Sequence, residues 1–216
     1  MSTSEVTPFR DAILSSEELA EVYGPPMENI LDKIIDRLDS HCRDFIALAP
    51  FVLVATADAY GRCDVSPKGG PPGFVRVLDE KRLVLPDAPG NRIIDSLRNI
   101  VATGRAGLLF VIPGMEETLR VNGRAFLTRD PELLGSLEGA GKPPKVGVGV
   151  QVEEAYLHCA KAFKRSGLWR SDEWPDASGL ARPAEIWRDH IALAEVSLEA
   201  VDELVDEDYR DNLWWR

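Results

Sequence analysis

Residues 61–100 read G-R-C-D-V-S-P-K-G-G-P-P-G-F-V-R-V-L-D-E-K-R-L-V-L-P-D-A-P-G-N-R-I-I-D-S-L-R-N-I, and the way this stretch divides decides the fold. Apolar runs at 74–78 and 83–85 flank a charged turn at 79–82, which predicts a β-hairpin. The Gly/Pro-rich segment before the hairpin and the P-D-A-P-G segment after it cannot sustain a ladder of backbone hydrogen bonds, so both are predicted loops. A helix is predicted to open at Asn91, with Ile93, Ile94 and Leu97 as its apolar stripe. Ser66, Lys68, Gly69 and Gly70 make a basic, glycine-rich turn, and Arg92 falls at the predicted helix N-terminus. Both are devices that suit a phosphate.

On the N-terminal side, the apolar run 51–57 (F-V-L-V-A-T-A) predicts a buried strand, and D-A-Y-G turns the chain into a second strand at 62–66. On the C-terminal side, strands are predicted at 107–112, at 118–127 with a bend at Gly123, and at 145–152. The last alternates strictly, and its glycines leave room on one face for a close backbone or a ligand. Six or seven strands with short links favour an antiparallel sheet closed into a barrel over a βαβ fold. The fold class is mainly β with added helices (α+β). The expected organisation is one domain over 1–216, with helical extensions at about 1–48 and about 171–216.

Those extensions and links carry the helix signals. Ser15 caps a short helix stopped by Gly24-Pro25-Pro26, and Ile30, Leu31, Ile34, Ile35 and Leu38 fall at helical spacing over 28–38. Asp130-Pro131 opens another helix, and helices are predicted at 155–165, 183–193 and 196–204. On the 155–165 helix His158, Lys161 and Arg165 would share one face. Such a cationic face suits either anion contact or pairing with the acidic C-terminal helix. Trp169 would cover a planar ring or join the core, and the terminal tryptophans would dock on another subunit or surface.

Composition narrows the function. The net charge of −11 divides unevenly: residues 1–59 hold 4 Lys/Arg against 11 Asp/Glu, 60–170 hold 17 against 12, and 171–216 hold 4 against 13. Acidic ends disfavour a polyanion such as nucleic acid, while the basic middle could attract a small anion. No apolar run approaches membrane-spanning length, and the first ten residues lack a signal-peptide core. Cys42, Cys63 and Cys159 form no metal-spaced set, so no metal site is expected. They read as small buried hydrophobes in a reducing, cytoplasmic setting. Dinucleotide fingerprints, P-loops, serine-hydrolase elbows and H-E-x-x-H motifs do not occur.

Taken as a set, D-V-S-P-K-G-G, L-V-L-P-D-A-P-G-N-R-x-x-x-S-L-x-N-I, R-V-N-G-R-A and A-Y-L-H-C-A-K-A-F-x-R-S-x-L-W resemble the pyridoxamine 5′-phosphate oxidase-related FMN-binding proteins over roughly 30–170. The resemblance implies a split β-barrel and a homodimer that holds FMN non-covalently in two clefts between subunits. It matches Arg92, preceded by Asn91, to an arginine on the FMN phosphate, and Val65, Ser66, Pro67 and Lys68 to the strand end beside flavin and phosphate. Pro86 and Asp87 match backbone near the cofactor, and Thr118 stands where the oxidases carry a glutamine offered by the other subunit. Arg92-Ile93 replaces an Arg-Lys pair, which leaves His158, Lys161 or Arg165 as chemical candidates for a second phosphate contact. Trp169 is the candidate ring cover.

The oxidases' Trp/Arg segment for the vitamin has no counterpart near Trp214–Arg216, so vitamin B6 oxidation is not implied. The expected function is an FMN-dependent oxidoreductase of a small molecule, with no catalytic residue assigned. The alternatives are a flavin carrier without turnover, or the same barrel holding a deazaflavin or haem.

Overall fold

Alternating apolar residues build the centre of the chain. The computed structural model describes residues 9–137, 142–191 and 195–214. Seven strands among them form one antiparallel sheet: β1 (Phe51–Ala57), β2 (Cys63–Gly69), β3 (Arg76–Asp79), β4 (Arg82–Pro86), β5 (Arg105–Val111), β6 (Thr118–Thr128) and β7 (Gly147–His158). Their order is β2-β1-β5-β6-β7-β4-β3. The two end strands do not pair with each other, so the sheet stays open as a split barrel. Val52, Val54, Leu83, Leu85, Leu108, Phe110, Leu119, Val121 and Val150 point inward and form the core with Leu38, Phe45 and Ile46.

Two irregularities have evident causes. The β6–β7 register shifts between Asn122 and Gly123, where a Cβ on Gly123 would lie 2.0 Å from the Gln151 carbonyl oxygen, so only glycine fits the expected bend. The predicted loop after residue 66 is instead the continuation of β2 through Pro67 to Gly69. Gly70 donates its N–H to the Pro50 carbonyl, and counting back by alternation turns the nitrogen of Pro67 away from β1. On an edge strand a proline facing outward breaks no ladder bond.

The helices depart further from expectation. Residues 1–33 form a compact unit of their own. Within it α1 (Ser16–Tyr23) is capped by Ser15 and stopped by Gly24, as its signals predict. The helix predicted over 28–38 is absent: a single 3-10 turn covers Ile30–Lys33, Asn29 adopts a left-handed φ of 59°, and Ile35 bridges to Ala155. Tertiary pairing wins over helical spacing there. In the second unit, residues 34–216, α2 (Ser40–Leu48) starts on the Asp39 cap, so His41 and Cys42 open a helix rather than follow one. Cys42 is buried, but Cys63 and Cys159 are exposed, against the expectation of three buried thiols.

The remaining helices are α3 (Asp95–Thr103), α4 (Pro131–Gly135), α5 (Lys161–Ser166), α6 (Pro183–His190) and α7 (Leu198–Asp211). The α4 cap, Asp130, is the one the sequence marks, whereas α7 starts after its Ser197 cap and runs to Asp211, seven residues beyond the expected end at 204. Leu193, the expected end of the 183–193 helix, lies outside the described residues. No helix among the described residues is long and apolar enough to cross a membrane.

Candidate functional site

The site grows from the ends of β2 and β4 and from the link between β4 and α3. On β2 the side chains alternate, so Ser66 and Lys68 turn inward while Val65 turns out and is 60% exposed. Gly70 follows, and a Cβ there would strike the buried Phe74 ring at 2.6 Å, which explains the glycine at this corner. At the end of β4, Asp87 donates its N–H to the Val146 carbonyl at 3.0 Å. Its carboxylate lies 3.5 Å from the Lys68 ammonium, a half-buried and loosely closed pair.

The link then turns on Asn91, whose side-chain oxygen accepts from the Ile93 N–H at 3.0 Å. Arg92 takes a left-handed φ of 65°. This corrects the expected helix start at Asn91: α3 begins four residues later, after Ile94, with no side-chain cap. The turn is anchored from behind, because Ser96 on α3 bonds Asp64 of β2 and Asn99 donates to the buried Thr56 hydroxyl of β1 at 3.0 Å.

These elements enclose a cavity of about 800 Å³, ordinary for a small-molecule or cofactor site. Of the residues proposed from sequence, Ser66, Pro67, Lys68, Pro86, Asp87, Asn91 and Arg92 all line it. Among the described residues Arg92 has neither an ion-pair nor a hydrogen-bond partner. A guanidinium that is uncommitted, on a strained backbone and facing a cavity with a lysine and a serine, is the chemistry of a phosphate site. FMN fits this donor set. No histidine or cysteine is among the cavity-lining residues.

The other proposed residues gather elsewhere. Thr118 and His158 are partners across β6 and β7, and Tyr156 accepts a bond from Arg120 at 3.0 Å beside them. His158 lies on a strand, because β7 continues to residue 158 and only Lys161–Ser166 is helical. The single cationic helix face expected for His158, Lys161 and Arg165 therefore does not exist. Trp169 donates its indole N–H to the Met115 carbonyl at 2.8 Å and stacks on Phe163, with ring centroids 5.7 Å apart. None of these residues lines the cavity.

Gly147 of β7 pairs with Pro86 at the cavity, whereas His158 ends the same strand eleven residues on. Across the sheet, β1, β5 and β6 stand between the β2 side of the cavity and His158. The space beside the first of the β7 glycines is taken: a Cβ on Gly147 would meet Leu134, Val84 and Thr128 at 3.0–3.2 Å, whereas one on Gly149 would touch only the Phe126 carbonyl oxygen at 3.8 Å.

Sequence reasoning missed one wall altogether. Trp187 of α6, with Leu204, Tyr209 and Trp214 of the C-terminal segment, lines the same cavity. The expected helix ends at 204, so the stripe at 204, 205, 208, 209 and 212 went unread, and spacing alone does not say which surface a stripe covers. Trp215 and Arg216 lie outside the described residues.

Comparison with known proteins finds no match among curated sequences. Solved structures give partial likenesses. HupZ of Group A Streptococcus is 21% identical with a TM-score of 0.47, covering 56% of this chain and 99% of that one. The haem storage protein HutZ of Vibrio cholerae is 16% identical with a TM-score of 0.39, covering 56% and 94%. An F420 reductase is 16% identical with a TM-score of 0.38, covering 54% and 93%. The family profile described as pyridoxamine 5′-phosphate oxidase matches residues 38–159, which take in β1 to β7 and the cationic side of the cavity. More than half of the chain carries that match, and the protein therefore belongs to the pyridoxamine 5′-phosphate oxidase family.

Proposed function

We propose that the chain is an FMN-binding oxidoreductase of a small molecule that works as a homodimer. The observation that carries this reading is Arg92, an unpartnered guanidinium held in a left-handed turn on the cavity beside Lys68 and Ser66. Arg92 and Lys68 would neutralise the phosphate, and the Ser66 hydroxyl would donate to one of its oxygens. The loose Lys68–Asp87 pair at 3.5 Å leaves the ammonium free to turn toward a stronger anion. Bound FMN supplies hydride and electron transfer, so the chain need only bind, orient and exclude water.

The homodimer is what the family resemblance implies, and it is supported by the separation of the proposed residues into two groups, the second of which, Thr118 apart, is proposed on its chemistry. A second copy could bring its Thr118–His158 end of β7 to the first copy's cavity. That leaves Thr118, His158, Lys161, Arg165 and Trp169 as contacts proposed from across the dimer.

The test is the absorption spectrum of freshly purified protein, followed by mass spectrometry of the released ligand. A flavin spectrum, bleached by NAD(P)H and recovering in air, is the expected result. Colour that no biological donor bleaches indicates a carrier. A deazaflavin or haem spectrum overturns the cofactor assignment.

A further inference from the structure

The C-terminal helices present an electrostatic difficulty. Residues 171–216 carry 13 acidic against 4 basic residues, yet α6 and α7 stand against a cavity built to take an anion. The orientation of α7 removes the conflict. Of the seven carboxylates on this helix only Asp208 lines the cavity, and Asn212 holds its Oδ1 by a 2.8 Å bond. The rest of the cavity-facing stripe is Leu204, Val205, Tyr209 and Asn212. The acidic helix thus turns its least charged face inward.

That stripe does not brace the fold. Bracing falls to Ala184 and Val201, which are buried, and to Arg182, which bonds both Glu185 and Asp202 to tie α6 to α7. By contrast Leu204 is 62% and Tyr209 59% exposed although both line the cavity, and Ile93 on the α3 side is 71% exposed. Apolar and aromatic groups that line one cavity and stay uncovered leave a slot for a flat apolar body.

We propose that the α6–α7 segment is the ring-binding wall of this site and determines its ligand class: a molecule with a phosphate at one end and an extended planar aromatic system at the other. Lys68 and Arg92 take the phosphate, while Tyr209, Trp214 and Trp187 cover the ring. The inference rests on the FMN reading and extends it by giving the ring contacts to the chain's own C-terminal segment, where the family profile does not reach.

The experiment titrates purified, flavin-stripped full-length protein with FMN, riboflavin and inorganic phosphate, comparing wild type with Tyr209→Ala, Trp214→Phe and Arg92→Ala. Tyr209→Ala is expected to weaken FMN and riboflavin alike by roughly five- to tenfold and to leave phosphate unchanged. Arg92→Ala should weaken FMN and phosphate but spare riboflavin. Trp214→Phe should remove part of the tryptophan quenching caused by either flavin. Because Tyr209 is exposed, its loss opens no core, and an unchanged melting temperature checks this. If Tyr209→Ala keeps full affinity and Trp214→Phe keeps full quenching while Arg92→Ala still weakens FMN, the wall is overturned and the cofactor site stands. If wild type binds neither flavin, the cofactor assignment falls and the wall with it.

Discussion

Arg92 combines two properties that seldom coincide, a left-handed backbone and an unpartnered charge on a cavity. A side chain with a Cβ pays about 1–2 kcal/mol to hold that conformation, and glycine does not. The two roles can therefore be separated by substitution. Arg92→Gly is expected to raise thermal stability, by about 1 kcal/mol, while lowering FMN affinity roughly 10- to 100-fold. Arg92→Ala should lose the affinity without gaining the stability. Calorimetry and flavin titration on the two variants read these effects separately, and an Arg92→Gly protein less stable than wild type would show that the turn is held for some other reason.

The position of Arg92 depends on α3, and α3 depends on polar bonds to the sheet as much as on apolar contact. Asn99 and Thr56 are 8% and 7% exposed and satisfy each other at 3.0 Å. Asn99→Ala strands the Thr56 hydroxyl in the core and should cost about 1–3 kcal/mol in denaturant unfolding. Adding Thr56→Val should recover much of that loss, since the orphaned group then disappears. The strands that position the site were legible because each had one recognisable cause: the run at 51–57 is β1 residue for residue, and Gly123 marks the bulge.

Three other elements were not legible, for reasons of context. Residues 28–38 have helical spacing, but Ile35 finds a strand partner 120 residues away. Residues 155–158 have helix-tolerant side chains, but β6 lies alongside and extends the ladder. Asn91 marks an Asx turn as well as a cap, and here the turn prevails. The residues proposed from 66 to 92 still line one cavity despite these errors because they cluster in sequence. The α6–α7 wall of the cavity was hidden because it comes from a segment about a hundred residues distant.

Taken whole, the molecule is acidic, and its response to pH follows from which carboxylates gain partners on folding. The Lys81 hydrogen bond holds Asp36 below the ordinary carboxylate range, the Cys42 amide does the same for Asp39, and the Arg62 amide for Asp58. The Arg82 side chain lowers Asp79. Folded values depressed below the unfolded value of 3.8 mean stability that is fully present above about pH 4 and lost as pH falls through the folded values. Asp36 is exposed and the other three are only partly covered, so each contributes little alone. Between pH 8 and 5 the shrinking of the −11 charge acts in the other direction and relieves self-repulsion. Thermal melts should hold level or rise slightly from pH 8 to 5 and drop below pH 4. A steady decline beginning at neutral pH would contradict the assignment.

An open sheet invites a neighbour to add itself as an eighth strand. At the β2 margin that invitation is withdrawn midway, because Pro67 turns a ring outward where an incoming chain would look for an N–H. Growth by templated strand addition, the route to fibres, therefore meets a missing donor on this side. A partner laid along this border would go without that bond.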